Sequence, residues 1–197
     1  MFKLRILRSI LICLAAAFSI MVGKLSHAHI FDKSPEPGTV DIHLSEAGVV
    51  ADFKFKVKKH FPHWFSIKFW FLENDQAERA RVRTLLGGHA VDKTGKPVEP
   101  GIATPINLKI FAESAGGKEI EVYSQDVDPI TASWGQGYFG KNIGNCVLTP
   151  GTYRARLVNK RAAQELSAIR TTFEITMPAK VNFDPKNMSA RSEPCQQ

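Results

Sequence analysis

Residues 49–88 read VVADFKFKVKKHFPHWFSIKFWFLENDQAERARVRTLLGG, and the fold class follows from the way their pattern changes. Over residues 49–59 apolar and charged positions alternate. Val49, Ala51, Phe53, Phe55 and Val57 fall on one side, Lys54, Lys56 and Lys58 on the other. A period of two predicts a strand with one wet face, and lysines there also discourage pairing at an open edge. Residues 60–63 hold a proline and read as a turn. Residues 64–72 alternate again, with Phe65, Ile67, Phe69 and Phe71 facing a core and Trp64, Ser66, Lys68 and Trp70 facing away. That second side, two tryptophans beside a lysine, is either a covered face or a binding surface. At Asn74 the period changes to that of a helix. Asn74 caps it by residue type, and Asp75 and Glu78 suit its positive start. Ala77, Val82, Leu85 and Leu86 form an apolar stripe, and Gly87-Gly88 ends it.

Downstream, residues 89–105 form a loop rich in glycine and proline. Residues 105–112 and 118–127 read as strands around a hairpin turn at 114–118. Residues 128–145 are glycine-rich and read as a loop that carries Trp134, Tyr138 and Phe139. A strand runs from Thr152 to Val158, a short helix covers 161–167, and 170–177 is the last long strand. From Pro178 the pattern is lost, leaving 179–197 as a loose tail. With Thr39 to Leu44 read as a short first strand, about seven strands with turns between them predict an all-β, immunoglobulin-like β-sandwich with one α-helix inserted between its third and fourth strands. Residues 148–157, LTPGTYRARL, resemble a late strand of immunoglobulin-like domains. In that setting an early tyrosine bonds back to the preceding turn, which makes Tyr153 structural.

Upstream, Lys3, Arg5 and Arg8 precede the apolar run 10–22, and Ser26-His27-Ala28 places small residues three and one before a cut. The sequence predicts a signal peptide over 1–28 and a soluble periplasmic domain over 29–178. The alternative is an uncleaved anchor, but the apolar run is shorter than the roughly 20 residues a span needs. Cys13 follows Ile12, where a lipidation signal requires a small residue. Removing the basic Lys3, Arg5, Arg8 and Lys24 from 26 leaves 22 basic against 19 acidic residues, a balance of +3. Such a balance calls for no nucleic-acid partner. A domain of this length buries about 70% of its unfolded surface, so folding requires no metal or disulfide. Cys146 and Cys195 remain after export. In an oxidising compartment they are either joined, tethering the tail to the body, or two unpaired thiols.

No residue set identifies a reaction. There is no Gly-x-Ser-x-Gly, no phosphate loop and no dinucleotide fingerprint. Glu73, Asp75 and Glu78 cluster where helix starts attract acids anyway. His60 and His63, three apart, share a metal only if their turn curls. His29 is sharper: as a mature N-terminus it offers an amine and an imidazole, a copper-binding pair. The start at His29 loosely resembles periplasmic copper-carrier sandwiches, which complete their site with an Asp-x-His that is absent here; His43 and His89 stand in other contexts.

Residues 71–88, FLENDQAERARVRTLLGG, together with the aromatic strand 63–70, resemble a family of exported Gram-negative proteins known as a domain of unknown function. The shared pattern is an aromatic strand, an acid, Asp-Gln-Ala, an Arg-Ala-Arg-Val run and a closing Leu-x-Gly. Pro105 to Ile110, Ser133-Trp134-Gly135 and Leu148 to Tyr153 match as well, so the resemblance covers about residues 45–176. It implies an exported sandwich with an inserted helix and a role of the immunity type against toxins delivered between bacteria, and it supplies no active site.

These readings converge on a non-enzymatic periplasmic binding protein without a cofactor, whose partner is a protein of the cell envelope. Aromatic and arginine side chains are the usual interface anchors. The expected contact residues are therefore Trp70, Arg79, Arg83, Trp134 and Tyr138, with the 128–145 loop as the contact surface. The alternative is a copper-binding protein using His29.

Overall fold

The computed structural model describes residues 38–178 and Cys195. The expected signal segment and His29 lie outside the described residues, as does the tail apart from Cys195. In chain order the elements are β1 (Thr39–Ile42), β2 (Gly48–Val57), β3 (Phe61–Trp70), helix α1 (Gln76–Leu86), β4 (Ile106–Glu113), β5 (Glu119–Val127), β6 (Thr131–Gly135), β7 (Tyr138–Leu148), β8 (Gly151–Asn159), a 3-10 turn (Gln164–Leu166) and β9 (Thr171–Thr176). The strands form two antiparallel sheets, β1-β9-β3-β7-β6 and β2-β8-β4-β5. This is the expected all-β sandwich with its helix between the third and fourth strands, but with nine strands among the described residues rather than about seven.

Alternation decides which side chains meet between the sheets. Phe65, Ile67 and Phe69 of β3 are fully buried, as are Phe173 and Ile175 of β9. Phe55 of β2 and Ile106, Leu108 and Ile110 of β4 face them from the other sheet. The sheets touch through aromatic edges: Phe53 lies 6.0 Å from Phe173, and Phe65 lies 5.2 Å from Tyr123. Each fully buried phenylalanine contributes about 2 kcal/mol of transfer free energy.

Three local expectations are corrected. The turn before β3 is shorter than expected, because Phe61 and Pro62 already pair with Leu148 and Val147. Pro62 is tolerated because β9 pairs with β3 only from Trp64 onward, so a missing N–H on that side costs nothing. The helix cap is Asp75, one residue after Asn74, with its carboxylate accepting the Glu78 amide at 2.8 Å. Most of the expected 128–145 loop is instead the β6–β7 hairpin. Its glycines are there for contact: a Cβ at Gly140 would strike Ser133 Oγ, and one at Gly144 would strike the Tyr123 hydroxyl. Of the hairpin glycines only Gly137, at φ 79°, uses the left-handed region.

Tyr153 sits as the sequence predicts, its hydroxyl donating to the Thr149 carbonyl at 2.9 Å and its ring stacked 5.6 Å from Phe55. This closes the turn by which the chain leaves one sheet for the other. Cys146 and Cys195 are joined, which decides between the two cysteine readings. Tyr153→Phe keeps the ring and removes the bond. It is expected to lower stability to urea by about 1 kcal/mol with an unchanged circular-dichroism spectrum; full stability would show that the hydroxyl does not hold the turn.

Candidate functional site

The two outer faces of the sandwich differ in chemistry. On the four-stranded sheet, charges of both signs satisfy one another. Arg154 pairs with Asp52 and Glu119, Lys54 with Glu113, and Lys109 with Glu121. Such a lattice is a solvated face, and most of its pairs are open to water.

The outer face of the five-stranded sheet is aromatic and cationic. On β3 the outward positions are Trp64, Ser66, Lys68 and Trp70. Their register partners on β9 are Thr176, Glu174 and Thr172, and Tyr138 on β7 lies opposite Trp70. The Trp70 and Tyr138 rings are 5.5 Å apart. Trp70 Nε1 donates to Thr172 Oγ1 at 3.0 Å. Lys68 Nζ lies 4.4 Å from the Tyr138 ring centroid and 2.7 Å from Glu174 Oε2. The Arg170 guanidinium covers Trp70 at 5.6 Å while pairing with Asp41 at 3.1 Å. Gly135 lets the Tyr138 ring lie flat, since a Cβ there would strike the ring. Trp64, 46% exposed, stands at the other end of β3.

Of the expected contact residues, Trp70 and Tyr138 are brought together. Trp134 is not with them. It pairs with Phe139, whose side chain is buried, so it lies on the other side of the sheet from Tyr138. There, at the sheet edge, it is exposed against His89 at 5.3 Å. Arg79 covers Phe71 at 6.0 Å and Arg83 pairs with Glu99 at 3.7 Å, so neither contributes to the Trp70–Tyr138 cluster. The residues missed from sequence are Arg170, Thr172 and Glu174. The signal was present in the period-two pattern of residues 170–177, but it becomes a site only once β9 is known to pair with β3.

The acidic cluster at the helix start serves the helix. Asp75 caps it, and Glu78 accepts the Leu72 amide at 2.8 Å and faces Arg81 at 3.9 Å. His60 and His63 are not brought to one site: His60 is exposed, and His63 is buried with its Nδ1 on the Phe61 carbonyl at 2.8 Å. Among the described residues no three His, Cys, Asp or Glu side chains are grouped to hold a metal. No helix among them is long and apolar enough to cross a membrane.

Two buried bases are displaced from their ordinary pKa values. Burial lowers His63, with the hydrogen bond to the Phe61 carbonyl opposing the shift. Burial also lowers Lys141 to about 8, with Asp128 opposing the shift. Lys141 faces inward from β7 and donates to Thr104 Oγ1 at 3.1 Å and to the Ile102 carbonyl at 3.3 Å.

Fold and surface together define a two-sheet, all-β protein with one inserted helix and one aromatic–cationic face. A family profile, Domain of unknown function (DUF5625), matches residues 39–177, and the chain belongs to that family. Its fold is similar to the crystal structure of a protein from Sulfurospirillum deleyianum at 20% identity and a TM-score of 0.60, covering 74% of this chain and 99% of that one. No curated protein matches the chain.

Lys141 makes stability depend on alkaline pH. Its folded pKa lies below that of the unfolded chain, so the unfolded state binds more protons between about 8 and 10.5. Stability therefore rises with pH across that window, by at most about 3 kcal/mol. Urea unfolding from pH 8 to 10 is expected to show the rise, and Lys141→Met to flatten it. A flat profile in the unmodified protein would mean that Lys141 titrates normally.

Proposed function

We propose that the chain is a non-enzymatic, exported binding protein that engages a protein of the cell envelope through the outer face of its five-stranded sheet. The observation that carries this is the contrast between the two faces. One carries a lattice of mutual ion pairs, while the other offers Trp64, Trp70 and Tyr138 with Arg170, the side-chain types that anchor protein interfaces. The basic–apolar–small pattern of residues 1–28 supports export. The non-enzymatic reading is supported by the employment of Asp75 and Glu78 at the helix start. A binder of this kind suits an immunity-type inhibitor that meets a toxin delivered into the periplasm.

The test is site-specific photo-cross-linking in intact cells of the native host. A photoreactive residue at position 64, on the aromatic face, is expected to give one discrete adduct. The same residue at position 56, on the charged face, is expected to give none. Trp70→Ala and Arg170→Ala should each reduce recovery of that partner by at least about tenfold. Adducts from position 56 alone, or none from either, would sink the proposal. A secreted toxin as the adduct would support the immunity role; a resident envelope protein would favour another.

A further inference from the structure

Each sheet edge exposes unpaired backbone groups, and an edge without a guard pairs with other chains. The edges here are β1 and β6 in one sheet, and β2 and β5 in the other. β1 is four residues long. β2 carries Lys54 and Lys56 and a register shift between Val49 and Ala51. β5 carries Glu119, Glu121 and Asp126, opposite a shift between Ile110 and Phe111. β6 is short, and its pairs with β7 reach only from Tyr138 to Lys141. Over residues 142–148, β7 therefore has β3 on one side and no strand on the other among the described residues. That stretch, NIGNCVL, contains no charged residue.

What lies against this edge is Cys195. Its amide donates to the Val147 carbonyl at 3.4 Å, too long to hold a chain end by itself, and its sulfur is bonded to Cys146. Val147 thus turns its carbonyl away from β3. This fits its register partner, Pro62, which has no N–H to give. A cleft of about 510 Å³ between β5 and β7 opens directly onto both cysteines.

We propose that the Cys146–Cys195 disulfide is the guard of the β7 edge, and that opening it makes residues 145–147 a pairing surface for a second copy of this chain. A second copy fits because antiparallel edges are self-complementary. About a two-fold axis at Cys146, Asn145 of each copy faces Val147 of the other, and each pair exchanges N–H and C=O groups. No like charges oppose the pairing. A dithiol opens the guard by exchange. One of its thiolates bonds to one cysteine sulfur as the other cysteine leaves as a thiolate. Its second thiol then displaces the first cysteine, so the dithiol ends as a disulfide and both cysteines as thiols.

The test is sedimentation of the full chain, purified from its host, over roughly a hundredfold range of concentration. The oxidised protein is expected to stay monomeric. Treatment with a dithiol, or Cys195→Ser, is expected to give a folded, reversible dimer. Asn145 shares the alternation of Val147, so its N–H faces the open edge, and Asn145→Pro added to Cys195→Ser should restore the monomer. A folded but monomeric reduced protein would overturn the proposal, as would a dimer indifferent to Asn145→Pro. If Cys195→Ser does not fold, the dithiol-treated native protein provides the same readouts.

Discussion

Both sides of the five-stranded sheet are fixed by the register of one central strand, β3. It lies between β9 and β7, and it places Phe65, Ile67 and Phe69 in the core and Trp64, Lys68 and Trp70 outside. A slip of one residue would exchange the two sets. Three phenylalanine or isoleucine side chains would enter water, at about 2 kcal/mol each, and an ammonium group would enter the core at a larger cost. The Lys68–Glu174 pair belongs to the same constraint. Its side chains are only 24% and 6% exposed, although they sit on the outer face. Desolvation cancels much of such a pair's attraction, so its consequence lies less in net stability than in making every other β3–β9 register worse.

The outer faces of the two sheets differ in what a docking partner of the proposed kind would have to break. A partner docking on the four-stranded sheet would have to break pairs such as Arg154 with Asp52 and Glu119, which already use the fork of the guanidinium. On the aromatic face the cation nearest solvent is Arg170, whose pair with Asp41 has both side chains more than 60% exposed. An exposed pair of this kind is worth at most about 1 kcal/mol. Arg170 is therefore free to change partners while its stack on Trp70 persists, and Trp70 is held from behind by Thr172. The aromatic surface is pre-organised, and the charge beside it is adjustable.

Period-two segments were legible in the sequence because burial on one face leaves its mark on every second residue. This held for β2, β3, β4, β5, β8 and β9, and the change of period at Asn74 marked the helix. Glycine misled the reading of β6 and β7. Gly135, Gly140 and Gly144 make room for Tyr138, Ser133 and Tyr123, and a sequence does not distinguish a glycine needed for space from one needed for a turn. The site was half legible for a related reason. Trp70 and Tyr138 are far apart in the chain but directly opposed in register, whereas Trp134, only four residues from Tyr138, is sent to the opposite side by the tight hairpin between them. Proximity in sequence suggested one surface, and strand pairing decided otherwise.

The inserted helix is attached in two ways, by Val82 and Leu86, which are buried in the core, and by polar contacts at its C-terminal end. The Leu85 carbonyl accepts the Ile102 amide at 2.7 Å, and the Leu86 carbonyl accepts Thr131 Oγ1 at 3.3 Å. Gly87, at φ 76°, and Gly101 approach so closely that a Cβ on either would strike the other segment's backbone. Lys141 reaches this same segment from β7, through Thr104 and the Ile102 carbonyl. Burying its charge is unfavourable, yet an apolar residue there would leave that carbonyl without its donor. The unfavourable charge and the satisfied carbonyl are thus two consequences of one contact, and together they tie the helix, its return loop and β7 into a unit on which the β6–β7 hairpin, and with it Tyr138, depends.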